Sequence, residues 1–404
     1  MNIRRIGLIA SFVLIILLLA FGLYALFFRT STTPGTTNTN TPGQLPGVTP
    51  GQIPTTGTTS TPSTNFPTTG TVDTVASGGL TQVTDYSSDS VVSPKPTGSG
   101  VVYFQPNSSQ FMLLNADGKS QAYSDPIFFG VDNVTWSPVK QQAILEYPDG
   151  SNIFYDFTTK KQITLPKELE SFAIDPSGTA IAAVWKGDSA NNQWLVTSNT
   201  DGSNLKLVEP ISGTKGLDLQ VTVSPDNKLI GLYHHAVGTD SQEVVPIGKN
   251  GENIKSFTVD GLKFSGSWSP AGDHLLYNAS NARDGFKPRL WITEGSAADL
   301  GYSQTDLQLQ TWADKCTFSR GGDQIFCAVP TELPDGAGLY PSLADTVPDV
   351  FYRIDLTSGV RVPLAIPAGS QQLYNAASVF LSSDESVLYF TDRSTGRLHS
   401  IQLK

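Results

Sequence analysis

The sequence offers few residues whose types and spacing could support catalysis. Its four histidines include one adjacent pair, His234 and His235, in or just after an apolar strand. Neighbouring side chains of a strand point to opposite faces, so this pair cannot hold one metal ion. His274 and His399 belong to no recognisable ligand cluster, and no Gly-x-Ser-x-Gly elbow, His-Glu-x-x-His helix or phosphate-binding glycine loop is present. We therefore predict no catalytic residue, no metal site and no cofactor.

The two cysteines predict a disulfide bond. Cys316 and Cys327 lie at equal distances from the pair Gly321 and Gly322. A hairpin that turns on these glycines places both cysteines opposite each other on the same face. Opposed Cβ atoms of a non-hydrogen-bonded pair come close enough for a bridge. The alternative is two buried free thiols that pack as small apolar groups.

The longest connection between predicted strands, residues 330–349, concentrates polar and aromatic side chains. Binding residues collect in long connections on a rigid scaffold, and four prolines would stiffen this one. Its acidic, tyrosine-bearing surface would suit a cationic or glycan ligand, whereas an insertion without function is the alternative. The predicted binding residues are Glu332, Asp335, Tyr340, Asp345 and Asp349.

These candidates must be positioned by a repeated unit of a short apolar strand, a tight turn that often reads Ser-Pro, and a second apolar strand. Several copies continue into a second hairpin with a glycine-containing turn, which makes four strands per unit. Four-stranded units at intervals of about 40–50 residues are typical of β-propellers. We therefore predict an all-β fold, a seven-bladed β-propeller of four-stranded blades. The predicted turn residues are Ser93, Ser137, Asp175, Ser224, Ser269, Ser319 and Ser382.

The last copy of the repeat has only three predicted strands before the chain ends. Residues 79–86, ahead of the first copy, read as the missing outer strand. Pairing them with the last strand would close the ring and remove an exposed sheet edge. Trp136 and Trp268 recur at the same position of the repeat, which favours packing between blades over a sugar-binding platform.

The repeat resembles that of TolB-type propellers, whose turn reads Trp-Ser-Pro-Asp-Gly and precedes an apolar strand. Trp136-Ser137-Pro138 and Trp268-Ser269-Pro270 match this turn best, and Ser224-Pro225-Asp226 matches it in part. The resemblance covers residues 80–404. It implies a propeller of WD-like repeats that lies outside the cytoplasmic membrane as a binding platform, but no residue of a TolB partner site can be matched here.

An apolar run near the N-terminus predicts a membrane anchor. Residues 6–28 contain no charge over 23 positions, roughly 34 Å as a helix and enough to cross a ~30 Å hydrocarbon core. No small-x-small cleavage site follows, which favours a retained anchor over a cleaved signal peptide. Arg4 and Arg5 precede the run and only Arg29 follows it, so the N-terminus should be cytosolic and the body outside.

Four segments follow from these features. Residues 1–5 are the cytosolic N-terminus, residues 6–28 the single transmembrane helix, residues 29–78 a linker and residues 79–404 the propeller. The linker has no charge from Thr30 to Val72, and 17 of those positions are Thr. Such a composition cannot bury enough apolar surface to offset chain entropy, so the linker should be disordered.

The negative net charge of the chain excludes one class of partner. Removing Arg4, Arg5 and Arg29 from the formal net charge of −10 leaves −13 on everything after residue 29, which argues against a nucleic-acid partner. We predict a membrane-anchored, extracytoplasmic, non-catalytic binding or scaffold protein of the cell envelope, with an envelope protein or glycan as partner. The alternative is an envelope hydrolase or lyase that acts on polysaccharide or peptide with carboxylates in the channel, about 5–10 Å apart.

Overall fold

The computed structural model describes residues 70–189, 191–211, 218–371 and 373–404, and the regular structure in these ranges is almost all β. Apart from strands, these ranges contain three short 3-10 turns: Ala282–Asp284, Ala313–Lys315 and Pro341–Ala344. The described residues belong to one compact unit, Pro62–Lys404.

Five blades are separate antiparallel sheets of four strands that follow one another along the chain. The first contains β2 (Val92–Thr97), β3 (Gly100–Gln105), β4 (Gln110–Asn115) and β5 (Ser120–Ala122). The second contains β6 (Asn133–Trp136), β7 (Gln142–Glu146), β8 (Asn152–Asp156) and β9 (Lys161–Leu165). The third contains β10 (Leu169–Ile174), β11 (Ala180–Lys186), β12 (Gln193–Asn199) and β13 (Lys206–Pro210). The fourth contains β14 (Leu219–Val221), β15 (Leu229–Ala236), β16 (Ser241–Gly248) and β17 (Phe257–Asp260). The fifth contains β18 (Leu262–Trp268), β19 (His274–Ser280), β20 (Pro288–Glu294) and β21 (Thr305–Asp306).

The remaining strands form one eight-stranded sheet. Its order is β22 (Cys316–Phe318), β23 (Gln324–Pro330), β24 (Asp349–Asp355), β25 (Arg361–Ala368), β1 (Leu80–Asp85), β28 (Leu398–Gln402), β27 (Val387–Asp392) and β26 (Ala376–Leu381). Strand β1 holds this sheet together because its first half pairs in parallel with β25 and its second half pairs antiparallel with β28.

The predicted pairing of residues 79–86 with the last strand is confirmed, since Val83 lies opposite Ile401 and Asp85 lies opposite His399. The prediction of seven separate four-stranded blades is wrong, because five blades have four strands each and the rest of the ring is the eight-stranded sheet. The physical reason lies in the backbone. Leu80 also pairs with Ile366 of β25. This pairing is made by main-chain groups, which every residue has, so the sequence of side chains does not predict it.

The described ranges contain no helix long and apolar enough to cross a membrane. The transmembrane helix that was part of the predicted fold is therefore not found in them. Residues 6–28 themselves, and the linker up to residue 69, lie outside the described residues.

The repeated turns share one hydrogen-bond pattern, which explains why Ser or Asp recurs there. The Ser224 N–H donates to the Leu229 carbonyl at 3.0 Å, and the Leu229 N–H donates back to Ser224 Oγ at 2.9 Å. The same exchange occurs at Asp175, Ser269, Ser319 and Ser382. A short side-chain acceptor at this position therefore stabilises the tight turn.

The first copy of the repeat was assigned incorrectly. Ser93 lies inside β2, at a bulge with φ +46°, and the hairpin turns instead at Gly98 and Ser99. The predicted role of the tryptophans is confirmed. Trp136 Nε1 donates to the Ser93 carbonyl of the preceding blade at 2.6 Å, as Trp268 Nε1 does to Thr222 Oγ1 at 3.2 Å.

The connections between strands divide over two faces of the propeller, because successive antiparallel strands reverse direction. Connections from first to second and from third to fourth strands lie on one face, here called the turn face. Connections from second to third strands, and those between successive groups of strands, lie on the other, the loop face. Between the faces, apolar side chains of neighbouring sheets form the core, as Phe111 does with Val134 and Tyr155.

Candidate functional site

The long loop, residues 331–348, connects β23 to β24 on the loop face. It has a small core of its own, formed by buried Leu333, Ala337 and Ala344 with half-buried Trp312 and Val347. A surface loop that packs its own side chains in this way keeps one shape. The predicted location of the longest connection is therefore confirmed, and its stiffness comes from this core as well as from its prolines.

Hydrogen bonds fasten the long loop on two sides. The Gly336 N–H donates to the Gly285 carbonyl at 2.7 Å, which ties the loop to the connection that follows β19. On the other side, Asn375 Nδ2 donates to the Ala344 carbonyl at 2.7 Å. Because both bonds reach connections of neighbouring blades, the loop is held in place relative to the ring.

The long loop exposes an apolar tip, which we define as Tyr340 and Leu343. These side chains are 67% and 48% exposed, and they lie at and within the 3-10 turn Pro341–Ala344. Of the predicted binding residues, Glu332 and Asp335 are also exposed on this loop. Single exposed apolar residues are ordinary, but a tyrosine and a leucine together on a fastened loop resemble the centre of a protein interface.

Asp349, a predicted binding residue, is instead buried within the protein. Its carboxylate accepts hydrogen bonds from Lys315 Nζ at 2.8 Å and from the Ala376 N–H at 2.7 Å, and Lys315 Nζ also donates to Asn375 Oδ1 at 3.1 Å. Burial raises the pKa of the Asp349 carboxyl, while Lys315 and the Ala376 N–H favour the anion and oppose that shift. The buried pair joins the turn Ala313–Lys315, β24 and the start of β26.

A cavity of about 110 Å³ opens beside the turn that carries the apolar tip. One wall is Trp312 with the turn Ala313–Lys315, and a second is the long loop. Asn375 and Arg393, from connections on either side of β26 and β27, complete it. Residues separated by about 80 positions therefore meet at one small site on the loop face.

Two carboxylates, Asp314 and Asp345, and two cations, Lys315 and Arg393, line this cavity, and the buried Asp349 neutralises Lys315 from behind the wall. Lys315 pairs with Asp349, and Arg393 pairs with Asp345 at 2.9 Å. Asp314 is exposed at the cavity, and within the described ranges its carboxylate makes no hydrogen bond to another side chain. Although Asp314 keeps solvent-exposed surface, the protein around it partly desolvates the carboxylate and raises its pKa, against the opposing effect of Arg393 and Lys315. With Lys315 neutralised by Asp349 and Arg393 by Asp345, the Asp314 anion leaves a net charge of −1 on these five groups.

Four residues that line the cavity are not predicted from the sequence: Trp312, Asp314, Lys315 and Arg393. One local signal existed, the charged pair Asp314-Lys315 directly before the apolar strand that begins at Cys316. Connections between successive groups of strands lie on the same face as the long loop. Charged residues just before the first strand of a group are therefore candidates for a site on that face. Arg393 carries no such signal, because only the fold brings it to Asp345.

The predicted disulfide between Cys316 and Cys327 is present. The two residues lie directly opposite each other on β22 and β23, with their Cα atoms 4.1 Å apart. Gly322 in the turn between these strands has φ +76°, a conformation that favours glycine. Because Cys316 follows the turn Ala313–Lys315 directly, the disulfide also restrains one wall of the cavity.

The histidines take structural positions. His399 is fully buried on the last strand, with Nδ1 2.8 Å from Asp85 Oδ1 and Nε2 3.1 Å from Gln371 Nε2. His235 Nε2 lies 3.4 Å from a carboxylate oxygen of Glu243. Within the part of the chain that the structure describes, no three His, Cys, Asp or Glu side chains are grouped so that they could hold a metal ion.

Comparison with known proteins shows the fold. No protein-family model and no curated relative matches the sequence. An oligogalacturonate lyase in complex with manganese has a TM-score of 0.55 at 12% identity, over 80% of this chain and 93% of that one. The oligogalacturonate lyase of Vibrio parahaemolyticus gives 0.54 at 9% identity, with the same coverage. The β-propeller domain of Myceliophteria thermophila Cps50 (Swd1) gives 0.52 at 11% identity, over 80% of this chain and all of that one. At such identities the likeness establishes a β-propeller and nothing about its ligand.

Proposed function

We propose that this chain is a membrane-anchored, non-catalytic binding or scaffold protein of the cell envelope, and that it captures a protein partner with the long loop. The anchor of residues 6–28 and the outward orientation of the propeller are part of this proposal and rest on the sequence. One observation carries the binding function: the apolar tip is presented to solvent by a loop that its own core and two hydrogen bonds hold in place.

A rigid exposed tip favours binding because little conformational entropy is lost when a partner covers it. Tyrosine adds a large contact area with few rotatable bonds, which is why aromatic residues dominate the energetic centres of interfaces. The tip is formed by Tyr340 and Leu343 rather than by carboxylates, so a protein partner suits it better than the cationic or glycan ligand expected from composition.

The enzyme alternative has less support on this face. Asp349 is engaged by Lys315 and the Ala376 N–H, and Asp345 is engaged by Arg393. A carboxylate held in an ion pair is a poor general acid or base, because its proton affinity and position are already set by its partner. Asp314 alone among the described carboxylates of the cavity has no paired cation, and acid/base hydrolysis of a glycoside needs two such groups.

Cross-linking in cells that express the full chain tests the proposal. A photoreactive residue at position 342, which is exposed between the two side chains of the apolar tip, should give a specific adduct. Tyr340→Ala with Leu343→Ala should reduce the yield of that adduct at least tenfold. The matched control is Tyr302→Ala with Val360→Ala, which removes an equally exposed tyrosine and valine from the turn face.

The two double variants separate the outcomes. Loss of the adduct with the long-loop pair and retention with the turn-face pair supports the proposal. Equal adduct yields from both double variants would overturn it. Turnover of a polysaccharide or peptide by the full chain, lost in Asp314→Asn, would establish the enzyme alternative instead.

A further inference from the structure

We infer that the cavity between the turn Ala313–Lys315 and the long loop is an anchor pocket for one lysine or arginine side chain of the partner protein. The inference rests on the proposed function, which it deepens by giving the partner a chemical feature. It is carried by the size of the cavity, its charge and the composition of its walls.

The size of the cavity limits its occupant. Its volume is about 110 Å³. Sites for small-molecule substrates and cofactors are usually larger, about 300–1,000 Å³. A single side chain inserted from a protein surface fits the smaller volume, and such anchors are common at the centres of interfaces.

The charge of the cavity selects a cation. Lys315 Nζ donates to Asp349 Oδ1 and to Asn375 Oδ1 and lies 2.7 Å from Asp349 Oδ2, so its charge is already matched within the protein. Arg393 bonds Asp345. Asp314 is left as the exposed carboxylate without a paired side chain, and an incoming ammonium or guanidinium would supply its missing partner. An anionic side chain would instead meet the net negative charge.

The walls suit the rest of a basic side chain. Trp312 and Pro341 line the cavity, and lysine and arginine commonly pack their aliphatic stems along such apolar surfaces while the charged end stays polar. The apolar tip lies on the same turn as Pro341. The expected recognition element of the partner is therefore a basic side chain with an apolar side chain next to it.

Binding of amino-acid mimics to the full chain in detergent solution tests the pocket directly. N-acetyl-arginine methylamide and N-acetyl-lysine methylamide should bind in the millimolar range when followed by isothermal titration calorimetry. The change in tryptophan fluorescence on binding should be lost in Trp312→Phe, which assigns it to Trp312 among the six tryptophans. N-acetyl-norleucine methylamide, which has a similar stem without charge, should bind at least tenfold more weakly.

Two carboxylate variants locate the binding. Asp314→Asn should reduce the affinity for the arginine mimic at least tenfold, while Glu332→Gln, an exposed carboxylate of the long loop outside the cavity, should leave it unchanged. Both variants should keep the wild-type melting temperature, since neither carboxylate is needed for packing. Equal affinity of the arginine and norleucine mimics, or equal effects of the two variants, would overturn the pocket.

The pH dependence adds an independent readout. Cations bind the Asp314 anion, so the affinity should fall as the pH is lowered through the pKa of Asp314, which burial raises above its ordinary value. The charged groups that line the cavity with Asp314 are Lys315, Arg393 and the ion-paired Asp345, and Asp349 lies behind Lys315 as its buried partner. The pH dependence should disappear in Asp314→Asn, and its persistence in that variant would contradict the assignment.

Cross-linking with the same variants distinguishes this inference from the proposed function. If Asp314→Asn keeps the adduct that Tyr340→Ala with Leu343→Ala loses, the pocket is wrong and the docking loop stands. If the arginine mimic binds as expected but the tip variant keeps the adduct, the pocket stands as a cation site and the docking proposal fails.

Discussion

The turn face and the loop face of this propeller are built by different means. On the turn face, turns of one design bond to the next: Lys140 Nζ donates to the Gly178 carbonyl at 2.8 Å, and Ser383 Oγ donates to the Thr97 carbonyl at 2.8 Å. On the loop face, the connections differ in length, and they are joined by a buried ion pair and a small apolar core. The repeated face holds the ring together, while the irregular face has room for recognition.

Strand β1 lies between the two faces, and its removal should lower the stability of the protein more than any other change considered below. Deleting residues 79–86 should lower the melting temperature by ~10 °C or more, because β25 and β28 both lose a partner and Val83 leaves the core. Deleting residues 30–64 should change it by less than ~2 °C, since the linker is expected to lie outside the cooperative unit. Thermal unfolding of both full-chain variants decides this, and similar losses in the two would contradict the closing role of β1.

The buried pair on the loop face should give the next largest effect. Lys315→Met leaves the Asp349 carboxylate buried without its cation, and breaking a buried pair in this way costs about 3–5 kcal/mol of unfolding free energy. Lys315→Met with Asp349→Leu should recover a large part of that loss, because no unpaired charge remains. Denaturant unfolding measures both variants. A loss of unfolding free energy below about 1 kcal/mol in Lys315→Met would contradict the structural role of the pair. Asp349 could then be a binding residue, as predicted from the composition of the loop.

The repeated turns should give the smallest of the three effects. Ser269→Ala removes the acceptor of the partly buried His274 N–H, which should cost about 1 kcal/mol. Ser342→Ala, an exposed hydroxyl on the long loop, should change stability by less than about 0.5 kcal/mol. The adduct at position 342 should persist in Ser269→Ala. If Ser269→Ala abolished the adduct without lowering stability, the turn face would contribute to partner binding, and the assignment of binding to the loop face alone would be wrong.

Much of the fold follows from local sequence. The hairpins and the facing cysteines are predicted from apolar strands and turn residues, because these patterns depend on neighbours within about ten positions. The closing strand is predicted from the repeat instead, since the last copy lacks its fourth strand. The first repeat shows the limit of such reasoning. Ser93 matches the motif but lies at a bulge inside β2, since the register of a hairpin is decided by pairing along both strands.

The candidate site was less accessible to prediction. The long loop was found from its length, and Tyr340 was singled out within it, but Leu343 and the lining of the cavity were not. Composition also made all the carboxylates of the loop look alike. Only the fold shows that Asp349 is buried with Lys315 and that Asp345 pairs with Arg393.

The sequence by itself determined an all-β propeller, a disulfide between Cys316 and Cys327, and the place of the longest loop, because each rests on contacts between residues close along the chain. The tertiary structure decided which strands merge into one sheet and which charges face each other. Main-chain edges bond without regard to side-chain type, as β1 does with β25. Ion pairs such as Arg393 with Asp345 depend on where distant connections meet, and that meeting is set by the packing of the whole ring.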